Sequence, residues 1–146
     1  ISVQKGQKSL SLSRVPDTSY SAEFLMIEMM AQTAALLVGA ENDFSQDLVF
    51  AKIEFAEFFP GFIPGEEIKI EASAEQVSAE GGWLEAKIQN SRGLVAKSKL
   101  LLMSVGHLID GQTVPVTFHK GFMDHFSIRS KITTTPCHSH ESGNPS

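Results

Sequence analysis

SAEFLMIEMMAQTAALLVGA, residues 21–40, is apolar on nearly every side of a helix and yet keeps one narrow polar line. At about 100° per residue, Ser21, Glu28, Gln32, Ala35 and Gly39 fall on a single stripe of small or polar side chains. Phe24, Leu25, Met26, Ile27, Met29, Met30, Leu36, Leu37 and Val38 cover the rest of the circumference, a pattern that predicts a helix wrapped by other elements. Inside such a wrapper Glu28 is the anomaly. Desolvation disfavours an ionised carboxylate and raises its pKa, which is also how proteins prepare a carboxyl for acid–base work. Twenty helical residues reach about 30 Å, enough to span a bilayer. A charge at mid-helix costs about 2.5–3.5 kcal/mol on the insertion scale, so Glu28 argues against a membrane span. With no signal peptide legible, the expectation is a cytoplasmic protein without a membrane partner.

Upstream, SLSLSRV (residues 9–15) alternates serine with Leu10 and Leu12 and predicts a short strand with one apolar face. Pro16, Asp17, Thr18 and Ser19 then turn the chain and offer capping hydroxyls, and Glu23 favours the helix dipole. Gly39 and the run Glu41, Asn42, Asp43 predict the helix end.

Downstream the period changes to two. In Leu48 to Phe58, Val49, Ala51, Ile53 and Phe55 are apolar, while Lys52 and Glu54 point the other way. The loop Pro60-Gly61-Phe62-Ile63-Pro64-Gly65 encloses two apolar residues between turn signals, and Phe62 and Ile63 are expected to cover core or a ligand channel. Glu67 to Glu75 alternates cleanly, with Ile68, Ile70, Ala72 and Ala74 inward. Glu80-Gly81-Gly82 leads into Trp83 to Gln89, and Asn90-Ser91-Arg92-Gly93 into Leu94 to Met103, giving a three-stranded meander. Lys69, Lys87, Lys97 and Lys99 take the outward phase, a solvated face that would also suit docking of an acidic carrier protein.

The pattern divides the chain into one domain, residues 1–105, and an extension, 106–146, that is largely irregular, with 133–146 expected to be disordered. A formal charge of −5, from 12 basic against 17 acidic residues, argues against nucleic acid as a partner. The single cysteine, Cys137, excludes an internal disulfide framework. Cys137, His138, His140 and Glu141 lack a second ligand pair, so no metal is expected, and no other cofactor is called for. The last ten residues resemble peptides translated from dispersed bacterial repeat DNA. The first residue is Ile1, which suggests further sequence upstream.

One long apolar helix followed by an antiparallel sheet of about five strands has a simple packing solution, in which the curved sheet wraps the helix. The class is α+β, the hot-dog fold in outline. Its edge strands would be protected by edge-to-edge pairing in a homodimer.

The helix segment Phe24-Leu25-Met26-Ile27-Glu28-Met29-Met30-Ala31-Gln32 resembles the central-helix motif of the FabZ/FabA-type 3-hydroxyacyl-(acyl carrier protein) dehydratases. Residues 48–55 followed by 59–67 are similar to that family's second strand and its Pro-Gly turn, so the likeness spans roughly residues 13–105. The resemblance implies an acyl-thioester ligand, on a carrier protein or coenzyme A, in fatty acid biosynthesis. It also implies Glu28 as catalytic acid with Gln32 orienting it, and first-turn amides of Glu23 and Phe24 polarising the thioester carbonyl. Substrate contacts are then expected from Arg14, Glu23, Phe24, Phe62 and Ile63.

In that family a histidine from the other protomer completes the site, fourteen residues before the glutamate. Here Arg14 stands at that place, and the first histidine in the chain is His107. Three readings follow. A dehydratase would take its second group from a His-bearing partner subunit in a heterodimer, or from His107, His119 or His125 folding back. A non-catalytic subunit would bind acyl chains only. A hot-dog thioesterase would use Glu28 alone as base or nucleophile. Two bland roles stand beside these: Glu28 as a buried carboxyl bonded to Gln32, and Arg14 as its ion-pair partner across a dimer.

Overall fold

The computed structural model of the protein describes residues 1–105 and 128–133. Its elements in chain order are β1 (Ser2–Gln4), β2 (Lys8–Arg14), α1 (Ala22–Glu41), β3 (Asp47–Phe58), β4 (Glu67–Ser78), β5 (Gly81–Asn90), β6 (Gly93–Val105), a 3-10 turn (Ile128–Lys131) and β7 (Ile132–Thr133). The strands form one sheet in the order β3-β6-β5-β4-β2-β1-β7, antiparallel except where β7 runs parallel to β1. The five long strands are those expected from the sequence. The count rises to seven because two short strands, three and two residues long, are formed by pairing alone. Thr133 belongs to one of them, so the extension re-enters the sheet at residues 132–133. The histidines at 107, 119 and 125 and the Cys137–Glu141 cluster lie outside the described residues.

Ser21 caps α1, its Oγ accepting from the Phe24 amide at 3.2 Å. The helix runs through Gly39 and ends at Glu41, within the run that the sequence predicts as its end. Asp43 and Phe44 then take left-handed backbone angles (φ 53° and 57°), and the Phe44 amide closes back on the Gly39 carbonyl at 2.7 Å.

The sheet wraps the helix unevenly. From Thr33 to Ala40 nearly every side chain is buried, joining Ile68, Ile70, Leu84, Ile88, Leu100 and Leu102 in the core. In the N-terminal half only Met26 and Met30 are buried, and Phe24, Glu28 and Gln32 are open. By length and apolarity α1 meets the measure of a membrane span, with mean hydropathy 1.3, but 44% of that window is buried within the fold.

Two strands depart from their expected phase. In β2 the serines, not the leucines, face the helix: Ser9 is fully buried and donates to the Thr33 carbonyl at 2.6 Å, and Ser11 Oγ lies 3.2 Å from Thr33 Oγ1. Small hydroxyls let strand and helix approach closely, and each buried one is partnered, which removes the cost of burying it. Leu12 accordingly points outward, 72% exposed.

In β3, register shifts between Phe50 and Lys52 and between Ile53 and Phe55 turn the strand twice. Phe50 and Ile53 pair with the buried Leu102 and Leu100, so they share the helix-facing side, while Val49 and Phe55 pair with Met103 and Lys99 on the outer side. The face predicted for Val49, Ala51, Ile53 and Phe55 is thereby split between the two sides.

The outward phase of the lysines is as expected, but each of the four is tied to a glutamate. Lys69 and Lys87, with Lys8, converge on Glu71, Lys97 meets Glu57, and Lys99 meets Glu54 and Glu75. These four therefore present no unopposed basic rim. The Lys8 hydrogen bond, with Lys87 adding to it against the opposing effect of burial, holds the Glu71 carboxyl down at about 2, below its usual 4.5.

A carboxyl whose folded pKa lies below its unfolded value stabilises the fold above about pH 4.5 and loses that contribution as pH falls toward 2. Urea unfolding at about pH 5 and about pH 3 should therefore show the wild type losing on the order of 1 kcal/mol more than Glu71→Gln, since the lysines are half-exposed. Equal acid losses in the two proteins would contradict a stabilising role for Glu71 and its three lysines.

Candidate functional site

Four-residue spacing on α1 places Phe24, Glu28 and Gln32 in one line, and that line is the open side of the helix. Gln32 Nε2 donates to Glu28 Oε1 at 2.8 Å, holding the carboxylate in one orientation and leaving its second oxygen to act. One turn before Glu28, Phe24 is 62% exposed, and the ring of Tyr20 tilts against it with centroids 6.3 Å apart. A hydrogen-bonded carboxylate beside an unburied aromatic pair can take up a proton at the edge of an apolar surface.

The wrapped, buried Glu28 expected from the sequence is not what the described residues show. The sheet covers the opposite side of α1, and neither Glu28 nor Gln32 is buried. Two further expectations change. The Phe24 amide is occupied by the capping Ser21 hydroxyl, so of the two amides expected to polarise a carbonyl only that of Glu23 is left. Arg14 points to the outer side of the sheet, where it meets Glu67 at 2.9 Å and the Gly65 carbonyl at 3.2 Å. Within one chain it does not face Glu28. A groove of about 670 Å3 lined by Leu12, Arg14, Glu67 and Lys69 lies on that outer side, away from the carboxylate.

The loop between β3 and β4 carries the other two expected contacts. Phe62 is half-buried against the core, and Ile63 stays 46% exposed. β3 forms the sheet edge, and its helix-facing Phe50 and Ile53 remain 44% and 37% exposed. The described part of the chain thus leaves an apolar edge and the Glu28 line of the helix uncovered. Sequence reasoning missed Tyr20, whose spacing of four from Phe24 was its only signal, and Phe50, which the first bulge brings to the helix side. Among the described residues no three metal-ligating side chains come together, and none is a histidine.

No family model matches the chain, and no curated protein matches it either. Solved structures do. An acyl-CoA hydrolase mutant from Staphylococcus aureus in complex with coenzyme A is 12% identical, with a TM-score of 0.59, covering 93% of this chain and 80% of its own. A thioesterase superfamily member from Thermus thermophilus is 13% identical with a TM-score of 0.59, over 87% of this chain and 92% of its own. A hot-dog-like protein from Thermanaerovibrio acidaminovorans is 14% identical with a TM-score of 0.56, over 70% and 84%.

Because the Ser21 hydroxyl holds the first turn of α1 in place, Ser21→Ala should cost about 1 kcal/mol of stability, read as a lower urea midpoint. An unchanged midpoint would show that the cap is idle. At identities this low the likeness extends to architecture alone, and the architecture is the hot-dog fold.

Proposed function

We propose that this protein is an acyl-thioester hydrolase that acts as a homodimer, with Glu28 as its catalytic base and Gln32 as the group that orients it. The observation that carries the reading is the hydrogen-bonded Glu28–Gln32 pair on the open side of the central helix. The resemblance of the fold to an acyl-CoA hydrolase and a thioesterase superfamily member supports it. The dehydratase chemistry implied by the helix motif needs an acid and a base on either side of C2–C3, whereas hydrolysis needs one base and a water. The fold's likeness to hydrolases favours the simpler reaction.

In the reaction a water held by Glu28 loses a proton to the carboxylate as its oxygen bonds to the thioester carbonyl carbon. The first-turn amide of Glu23 faces the developing oxyanion. Collapse of the tetrahedral species breaks the C–S bond, and the proton on Glu28 passes to the departing thiolate. The products are the free acid and the thiol, and the carboxylate is regenerated. Phe24 and Tyr20 supply apolar surface for the acyl group.

The case for a dimer rests on what the described residues leave bare. Pairing of two β3 edges would satisfy their unpaired backbone groups and cover Phe50 and Ile53. It would also bring a second copy over the Glu28 line, drying a site that is otherwise open to water.

Thiol release from acetyl-, hexanoyl- and phenylacetyl-coenzyme A, followed with a thiol-reactive dye, tests the chemistry. Glu28→Gln should reduce turnover by at least about 100-fold with the fold retained. No rate above buffer in the wild type, or an undiminished rate in the variant, rejects the hydrolase; binding without turnover identifies an acyl-binding subunit instead. Ile53→Lys, placing a charge on the helix-facing side of the edge strand, should give a monomer in sedimentation and lose turnover with it. A variant that stays dimeric would move the interface elsewhere.

A further inference from the structure

β2 is longer than the strand that covers it. Its residues pair with β4 in continuous register, from Lys8 with Ser73 to Arg14 with Glu67. On the other side β1 meets Lys8, Ser9 and Leu10 and then stops. Backbone groups along a strand alternate in direction. The Gln7 carbonyl accepts from the Ala74 amide and the Val15 amide donates to the Glu66 carbonyl, at 2.9 Å each, so odd-numbered residues bond toward β4 and even-numbered ones away from it. Lys8 and Leu10 find Gln4 and Ser2 there. Leu12 and Arg14 are met by no strand among the described residues, and the Arg14 carbonyl has a 3.4 Å contact from the Ser13 hydroxyl. An unpaired edge in regular register is a template for one more strand.

The outer face beside that edge has room for the side chains of an added strand. Leu12 points outward and, with Arg14, Lys69, Gln89 and Ser91, lines the groove of about 670 Å3. Leu12 stands opposite Lys69, and Lys69 opposite Gln89, so the groove crosses β4 and β5 from the open edge inward. A strand paired with Leu12 and Arg14 would put alternate side chains on this same face.

The charge around the groove suits an acidic one. Lys8, Lys69 and Lys87 share the single carboxylate of Glu71, with Lys69 the most distant at 3.4 Å, and Arg14 has Glu67. Four cations thus face two carboxylates, a local positive surplus on a chain whose formal charge is −5. Arg14 donates to Glu67 and to the Gly65 carbonyl, which leaves donors of its fork for another carboxylate.

We infer that the open edge of β2 at Leu12 and Arg14 is a docking site for an extended acidic peptide segment of another protein, added antiparallel with an apolar residue over Leu12 and a carboxylate beside Arg14 and Lys69. Backbone hydrogen bonds supply the affinity, and the groove with its cations selects the sequence. The groove faces away from Glu28, and the site is independent of the hydrolase reading.

The probe is the peptide acetyl-Ser-Thr-Glu-Thr-Val-Thr-Ser-amide, titrated into the full-length chain while backbone amide exchange is followed by NMR. In the free protein the Leu12 and Arg14 amides should exchange as in an open chain, and saturation with the probe should slow them at least about tenfold. Methylating the probe's Val amide, which faces Leu12, should abolish that protection. Methylating the Thr amide between Glu and Val, which faces away, should leave it intact. Replacing the probe's Glu by Lys should weaken binding at least about threefold, the scale of one exposed ion pair. Leu12→Pro removes an edge amide without touching the β4 ladder and should lose binding, whereas Leu12→Ala keeps it at lower affinity. If Leu12→Pro does not fold, the methylated probes decide the matter on the unaltered protein. Leu12 and Arg14 amides already protected in the free protein would place a second copy or another stretch of this chain on the edge, and would overturn the inference. So would a probe that leaves exchange unchanged, methylation of Val that makes no difference, or a Lys probe that binds as well as the Glu one.

Discussion

An apolar helix must be covered, and the described residues cover only part of this one. The sheet closes over the C-terminal half of α1, where Leu36, Leu37, Val38 and Ala40 are all buried. It leaves the line through Phe24, Glu28 and Gln32 in the open. At about 25 cal/mol per Å2, leaving aromatic side chains in water forgoes stabilisation that a second surface would recover. The exposed edge of β3 poses the same demand. That shortage of cover is what the proposed homodimer would meet.

Local periodicity made much of this legible. α1 and the alternation of β4 and β5 depend on neighbours within a few residues, and Ile68, Ile70, Ala72, Leu84, Ala86 and Ile88 are buried as their pattern predicts. The Glu28–Gln32 pair was legible for the same reason, since four-residue spacing on a helix puts two side chains within hydrogen-bonding reach.

Features set by other strands were not legible. The phase of β2 is reversed because Thr33 on α1 comes close enough to want a hydroxyl opposite it, and nothing in SLSLSRV records that distance. The two bulges in β3 appear only against β6. Within the chain Arg14 faces the outer side because Glu67 and the Gly65 carbonyl lie across the ladder there. The hydrogen bonds that join Asn90 and Arg92 to Glu66 were likewise hidden, because a sequence read for turns identifies Asn90 and Arg92 as turn formers and stops there. Exposure of Glu28 had a different cause. An all-round apolar helix predicts complete cover without saying which chain provides it.

That ambiguity bears directly on chemistry. A carboxylate in open water is screened, and no single water beside it is held in place for attack. The same Glu28, held by Gln32 and covered by a partner's apolar edge, would act in a lower dielectric where its charge is felt and where the reacting water is selected by geometry. Ordering one carboxylate on an open helix face has little structural benefit, because exposed polar pairs at this spacing contribute only about 0.2–0.5 kcal/mol. Under the proposed hydrolase reading the arrangement is half of a composite site, in which the chain prepares the base and the assembly supplies the dry environment that the base needs.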